Sequence, residues 1–161
     1  MPNTDPHLVP DAAARALAQD LLRLPHAALA WSDPATGTPG ISRIAFGLGP
    51  QGGPMSLISS LAPHFAALLA HPDCAVMLGE AKAQGDPLAH PRLMIRAKAQ
   101  FVAPDDPERS ALRAHWLKDH PKAALYIDFT DFALVRLHPL SALLNAGFAK
   151  AYRLTAQDLA L

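Results

Sequence analysis

The residue types best suited to chemistry lie where a predicted strand is followed by a short helix. Ser59 and Ser60 close the strand-like run MSLISS, and Pro63 and His64 open the helix. Hydroxyl groups, free backbone N–H groups and the positive end of a helix dipole together suit a phosphate dianion. Ordinary capping explains a serine at this position equally well, because its side chain accepts a hydrogen bond from the first turn. The segment predicts either a phosphate site or a simple cap.

Arg43 is the second residue of interest, because it interrupts the otherwise apolar run ISRIAFGL at 41–48. A guanidinium buried in such a strand would need an anionic partner, and a phosphate group could supply one. Alternatively, Arg43 lies at a strand edge or end with its charged group in water. Both interpretations stay open from the residues alone.

Other catalytic or metal-binding signatures are absent from the sequence. It contains no glycine-rich nucleotide loop, no HExxH and no GxSxG motif. The eight histidines lack the spacing and neighbouring carboxylates of a ligand set, so we predict no bound metal. The single cysteine, Cys74, excludes an internal disulfide and begins an apolar strand, where a small buried side chain is expected.

Composition excludes several classes of partner. Half of the 161 residues are hydrophobic, only 17% are charged, and 14 acids balance 14 bases, which argues against nucleic acid and anionic membranes. So little charge on a small chain favours burial against a second copy, so we expect a homodimer. The first ten residues lack the features of a signal peptide, and no apolar run could span a membrane, so we expect a cytoplasmic protein. We predict one domain over 1–161, with 1–9 flexible.

The elements that must position these residues are predicted from hydrophobic periodicity and from proline and glycine punctuation. The run RLMIRAKAQFV at 92–102 alternates most cleanly, with Leu93 and Ile95 on one face and Arg96 and Lys98 on the other. It therefore predicts an antiparallel strand with one solvent-exposed face. The predicted strands are 27–32, 41–48, 55–60, 74–81, 92–102 and 131–144, and the predicted helices are 10–24, 61–71 and 107–119.

The order of these elements predicts a mainly β fold with flanking helices. Strands in hairpin order, interrupted by helices, are typical of a small antiparallel barrel and not of a parallel, doubly wound sheet. In the helix at 61–71, the helical spacing of Leu61, Phe65, Leu68 and Leu69 predicts packing on the core. In the helix at 107–119, Leu112 and Trp116 form the predicted apolar pair.

Several segments resemble one family, in its order, over roughly residues 25–154. They are ISRIAF, LISSLAPHFAALLAHPDCAVML, GDPLAHPRLMIRAKAQFV, HWLKDHPKAALYIDFTDFALVRL and AGFAKAYRL. The chain is similar to the pyridoxamine 5′-phosphate oxidase-like proteins with the FMN-binding split barrel, and is closest to their bacterial haem-utilisation branch. The resemblance implies a six-stranded antiparallel split barrel that forms a homodimer with two flavin sites at the subunit interface.

The resemblance also implies roles for individual residues. Arg43, Ser59, Ser60 and His64 would line the phosphate side of an FMN site. Arg92, Gly147, Phe148 and Lys150 would lie near the flavin ring or come from the partner subunit. The chain departs from the family pattern at Ala66 and Ala67, where relatives typically carry a basic residue and an asparagine, and at Ala146, where a glycine is expected.

Three functions follow as hypotheses. The first is an FMN-dependent oxidoreductase acting on a small molecule, with no catalytic residue identified, since the flavin carries the redox chemistry. The second is a non-enzymatic split-barrel protein that has lost tight FMN binding. The third is a haem-binding or haem-utilisation protein. In that branch a histidine on a C-terminal extension can ligate the iron, and we expect no counterpart here, because the last histidine is His138.

Overall fold

The computed structural model describes residues 5–161. Its helices are α1 (Ala12–Leu21), α2 (Pro63–Ala70) and α3 (Arg109–Asp119), with two short 3-10 helices at Pro87–Ala89 and Pro121–Leu125. Its strands are β1 (His26–Ser32), β2 (Pro39–Ala45), β3 (Gly47–Leu48), β4 (Pro54–Ser59), β5 (Asp73–Leu78), β6 (Arg92–Phe101), β7 (Phe132–Asn145) and β8 (Ala151–Leu154).

The strands form one antiparallel sheet in the order β2-β1-β5-β6-β7-β4-β3, and β8 pairs with the outer end of β7. The first and last strands of this order, β2 and β3, are separated in the chain by Phe46 alone. The Ser56 hydroxyl on β4 donates to the carbonyl oxygen of Ala45 on β2 at 2.7 Å. The two ends of the sheet therefore meet, and the sheet curls into a split barrel. The predicted mainly β, antiparallel split-barrel fold is confirmed.

Six of the strands match the six predicted ones, and β3 and β8 are additional. The predicted strand at 41–48 divides at Phe46, whose side chain is fully buried and whose N–H donates to the carbonyl of Pro25 at 2.9 Å. This contact turns the chain out of β2 and into the two-residue β3. The second additional strand, β8, follows the turn at 146–150.

Two apolar clusters hold the fold together. The barrel core is lined by Leu29, Ile44, Phe46, Leu93 and Ile95, among others. A second cluster on the outside of β4 and β7 is covered by α3, and includes the predicted pair Leu112 and Trp116. Because β4 is buried on both faces, it can position Ser59 with little freedom. The outer face of β6 is exposed from Arg96 to Gln100, as its alternation predicts.

The predicted core packing of the helix at 61–71 is partly wrong. Leu68 is buried and Phe65 packs edge-on against Phe101, but Leu61 is 85% exposed and Leu69 is 60% exposed. The reason is that α2 begins only at Pro63, so Leu61 lies outside the helix, and Leu69 faces away from the barrel.

Residues 1–4 of the segment predicted to be flexible lie outside the described residues. In the rest of that segment, the Leu8 amide donates to the carbonyl of Ala151 on β8 at 2.8 Å. Over residues 5–161, no helix combines the length and the apolar character needed to cross a membrane.

Candidate functional site

The start of α2 is built by the end of β4. Ser59 is paired with Phe132 of β7, and its hydroxyl accepts the N–H of Leu61 at 3.2 Å. Ser60 is exposed, and its N–H donates to the carbonyl of Asp131 at 2.6 Å. The cap residue Ala62 supplies no side-chain hydrogen bond. The Ser59 hydroxyl therefore closes the local turn, and the first turn of α2 has no side-chain cap.

His64 lies in that first turn and is 7% exposed. Within the part of the chain that the structure describes, its Nδ1 atom has no hydrogen-bond partner. Burial lowers the pKa of His64, because the charged ring would lose its hydration. At neutral pH the ring is therefore uncharged. It can contribute a hydrogen bond or a nitrogen lone pair, but no positive charge to hold a phosphate.

The two alanines of α2 differ in their surroundings. Ala66 is exposed, whereas Ala67 is fully buried against the barrel. A basic side chain at position 66 would reach solvent, but an asparagine at position 67 would place an amide in the apolar core. The packing of α2 against the barrel therefore requires a small apolar residue such as Ala67 where relatives typically carry an asparagine.

Arg43 lies near the end of β2 with its side chain 77% exposed. Its Nη2 atom donates to Oε1 of Glu80 at 3.2 Å, and Nε2 of His26 donates to the same oxygen at 3.0 Å. A cavity of about 270 Å³ adjoins these three side chains. Among residues 5–161, no hydrogen bond or ion pair links Arg43 to the 59–64 segment. Of the two interpretations of Arg43, the structure shows the exposed one, with a protein carboxylate as its anionic partner.

The remaining predicted site residues meet where β6 begins and β7 ends. Arg92 is paired with Asn145, and its Nη1 atom donates to the carbonyls of Leu88 at 3.0 Å and His90 at 3.3 Å. Gly147 has a φ of 133°, in the region that favours glycine, and its N–H donates to the side chain of Asn145 at 3.2 Å. The turn therefore lies beside Arg92.

The same turn presents two exposed side chains. Phe148 is 93% exposed and Lys150 is exposed, while the Lys150 N–H donates to the carbonyl of Gly147 at 3.2 Å. An aromatic ring and an ammonium group thus project from a hydrogen-bonded turn. Such a pair could contact a planar ligand that carries an anionic group.

Seven of the eight predicted site residues therefore fall into two groups within one protomer, and Arg43 on β2 has no hydrogen bond or ion pair to either group among the described residues. Ser59 lies opposite Phe132 at one end of β7, and Arg92 lies opposite Asn145 at the other. The two ends are 13 residues apart, from 132 to 145, which is roughly 40 Å along the strand. Measured along β7, this separation exceeds the length of one small ligand.

Sequence reasoning missed Glu80 and His26. They meet Arg43 because β1 pairs with β2 on one side and β5 on the other, which places Arg43 and Met77 opposite the same residue, Ala28. Glu80 lies inside the predicted strand 74–81 and His26 directly before the predicted strand 27–32, and neither position identifies a partner.

Sequence reasoning also missed a larger groove of about 800 Å³. It lies between the turn at 49–54, the start of α3 and the middle of β7. Arg136 lies in it and donates to Asp106 at 3.2 Å and to Glu108 at 2.6 Å. The groove thus carries a second arginine–carboxylate cluster. In the described part of the chain, no three histidine, cysteine or acidic side chains are grouped to hold a metal ion.

Comparisons with known proteins place the chain among split-barrel proteins. No protein-family model matches it. It is 32% identical over 116 residues to the chloroplastic non-canonical haem oxygenase HOZ of Arabidopsis thaliana, a match covering 72% of this chain and 34% of that protein. The chain thus spans about a third of the length of this curated relative.

Solved structures agree with that placement. A haem-binding protein from Mycobacterium smegmatis is 27% identical and superposes with a TM-score of 0.78, over 95% of this chain and 61% of its own. A candidate pyridoxamine 5′-phosphate oxidase from Listeria innocua is 12% identical with a TM-score of 0.59, over 82% of this chain and 94% of its own, and shares the fold alone.

Proposed function

Because the chain belongs to the pyridoxamine 5′-phosphate oxidase-like split-barrel family, with relatives in its haem-utilisation branch, we propose that it binds haem or a closely related tetrapyrrole. The observation that carries this proposal is the 32% identity to a haem oxygenase over 116 residues. An FMN-dependent oxidoreductase stays as the second candidate, since the family resemblance implies a phosphate site at Arg43, Ser59 and Ser60.

The candidate residues suit the chemistry of a haem. Its planar, apolar body calls for exposed apolar side chains, and Leu61 and Phe148 are 85% and 93% exposed beside the two groups of candidate residues. Its two carboxylates call for cations, which Arg43 and Lys150 could supply. Bound haem would supply an iron centre for oxygen chemistry, and the chain would bind, orient and shield it.

A histidine that ligates iron must be neutral, and burial favours that form of His64 by lowering its pKa. Its Nδ1 atom is also free of hydrogen bonds to the described residues. His64 is therefore the histidine we propose as a haem contact. Since its ring is 7% exposed, contact requires a small outward movement of the first turn of α2.

FMN fits the same residues less well. Its phosphate is a dianion, yet the start of α2 offers an uncharged His64, with Ala66 and Ala67 where relatives typically carry a basic residue and an asparagine. A missing charge-assisted contact costs about 1.5–3 kcal/mol, or one to two decades of affinity. We therefore expect FMN to bind weakly.

We further propose that the protein acts as a homodimer. The two groups of candidate residues lie at opposite ends of β7. In a dimer, one group from each copy could therefore contribute to the same ligand site. Exposed apolar residues such as Ile41, Leu61 and Phe148 would gain cover in such a pair. Sedimentation at micromolar concentration should give twice the 17.1 kDa of one chain, and a single 17.1 kDa species would contradict the proposal.

Titration of the purified protein with haem tests the function directly. We expect the Soret band to shift and to saturate at micromolar haem, while FMN over the same range fails to saturate. His64→Gln should alter the position of the Soret band, because it changes a group at the iron, whereas His71→Gln, at the exposed far end of α2, should not. A wild-type protein that binds FMN tightly and leaves the Soret band unchanged would overturn the proposal in favour of the flavin.

A further inference from the structure

We infer that His26 and Arg43 form a two-donor site for an anionic group of the ligand, and that the Glu80 carboxylate occupies this site when no ligand is bound. The inference rests on the proposed function, because it places Arg43 beside the ligand. It adds His26 as a binding residue and Glu80 as an internal competitor.

The geometry of the three side chains carries the inference. Two donors on neighbouring strands, Nε2 of His26 and Nη2 of Arg43, point at a single oxygen, Oε1 of Glu80, at 3.0 Å and 3.2 Å. The oxygen therefore marks the place where a ligand oxygen would receive both hydrogen bonds. A carboxylate or a phosphate presents such an oxygen, and bonds to an ionised acceptor are among the strong ones.

His26 can donate without being protonated. A carboxylate oxygen only accepts hydrogen bonds, so Nε2 of His26 carries the hydrogen in this contact. The neutral ring is sufficient for that role. The same nitrogen would donate in the same way to a ligand carboxylate or phosphate.

Glu80 is suited to being displaced, because its side chain is 59% exposed. The two donors are its only hydrogen-bond partners within residues 5–161, and exposed ion pairs are weak. Its backbone is nevertheless held in place. The preceding Gly79 has a φ of 101°, and a Cβ added there would lie 2.5 Å from the carbonyl of Pro91. Substitution of the Glu80 side chain should therefore leave the backbone unchanged.

The adjoining cavity limits what can enter. Its volume of about 270 Å³ lies beside the apolar side chains of Ala27, Ala28 and Met77. Sites that enclose a whole small molecule usually measure about 300–1,000 Å³, so this one suits an anionic group and the adjacent part of a ligand. The carboxylate of a haem side chain and the phosphate of FMN both fit this description.

The test compares Glu80→Gln with a matched control, Glu108→Gln. Glu108 is 61% exposed and pairs with Arg136, so both changes remove one carboxylate from an arginine and alter the net charge equally. Dissociation constants for haem, FMN and inorganic phosphate are measured on wild type and both variants. We expect E80Q to tighten binding about two- to five-fold, the range that an exposed ion pair supports, and E108Q to leave it unchanged.

His26→Gln supplies the complementary measurement. We expect it to weaken binding of the anion about two- to five-fold in both the wild-type and the E80Q background. The choice of probe identifies the anion. If E80Q tightens the binding of haem alone, the site takes a ligand carboxylate. If E80Q tightens the binding of FMN and inorganic phosphate, the site takes a phosphate.

The failures of this inference and of the proposed function are distinguishable. If wild type binds haem but E80Q and H26Q leave every dissociation constant unchanged, the two-donor site is wrong and the proposed function stands. Equal tightening by E80Q and E108Q would also overturn the site, since net charge alone would explain it. If wild type and all three variants bind none of the three probes, both proposals are wrong.

Discussion

Two arginine–carboxylate clusters in this protein share one chemistry and differ in burial. The side chain of Arg136 is 20% exposed and lies between Asp106 and Glu108, whereas that of Arg43 is 77% exposed against Glu80. Asp106 is itself held in place, since its other oxygen accepts the N–H of Glu108 at 2.8 Å. Burial and a second hydrogen bond make the first cluster an anchor between β7 and the start of α3. The second cluster is open to exchange because it is exposed and because Glu80 receives hydrogen bonds from side chains alone, those of His26 and Arg43.

The largest expected effect is on stability and comes from Arg136→Ala. It leaves two carboxylates without their shared partner at the start of α3, so we expect the free energy of unfolding to fall by about 1–2 kcal/mol. Urea unfolding followed by Trp fluorescence measures this. Arg43→Ala is the matched control and should change the unfolding free energy by less than about 0.5 kcal/mol. Equal losses in the two variants would show that burial does not separate the clusters.

The next effect is on ligand affinity, where we expect the Arg43 variant to lose more than the Arg136 variant. Arg43→Ala removes a proposed contact to the ligand anion and should weaken haem binding about three- to ten-fold. Arg136→Ala, measured under conditions where it is folded, should bind haem as wild type does. The dissociation constant from a Soret titration gives both values. Unchanged haem affinity in the Arg43 variant would mean that the arginine is misassigned.

The smallest effect is a pH dependence of folding stability, and it comes from the cluster of Arg136, Asp106 and Glu108. The N–H of Glu108, followed by the guanidinium of Arg136, holds the pKa of Asp106 below its ordinary value. The stabilisation by this carboxylate is therefore complete above the ordinary pKa of an aspartate. It is lost as the pH falls through the lowered pKa of the folded state.

Asp106→Asn should consequently reduce stability near neutral pH, and its difference from wild type should shrink in strongly acidic solution. Urea midpoints across the acid range measure this, with Glu80→Gln alongside to show the effect of removing an exposed carboxylate from the other cluster. A difference that stays constant down to the lowest pH would contradict the role of Asp106.

The features that could be predicted from the sequence are those decided by local patterns. The alternation at 92–102 predicts β6 and its wet face, and the spacing of Leu112 and Trp116 predicts the buried face of α3. The Ser59–Pro63 junction predicts the end of β4 and the start of α2. Each depends on the side-chain period of one element, which residues near one another in the chain determine.

The features that escaped prediction depend on pairing between distant strands. Phe46 divides a strand because the barrel closes there and buries its ring. Glu80 meets Arg43 across β1, and no pattern in either strand specifies that register. The separation of Ser59 from Arg92 along β7 likewise follows from how β4 and β6 pair with the two ends of one long strand.

By itself, therefore, the amino-acid sequence determines the strands, the helices, the barrel class and the family resemblance, because hydrophobic period and turn residues act over a few positions. Only the tertiary structure decides which charges meet. It gives Arg43 a protein carboxylate as its partner, buries His64 as an uncharged ring, and anchors Arg136 between two acids. The physical reason is that burial and ion pairing are properties of neighbours in space, and strand register sets those neighbours.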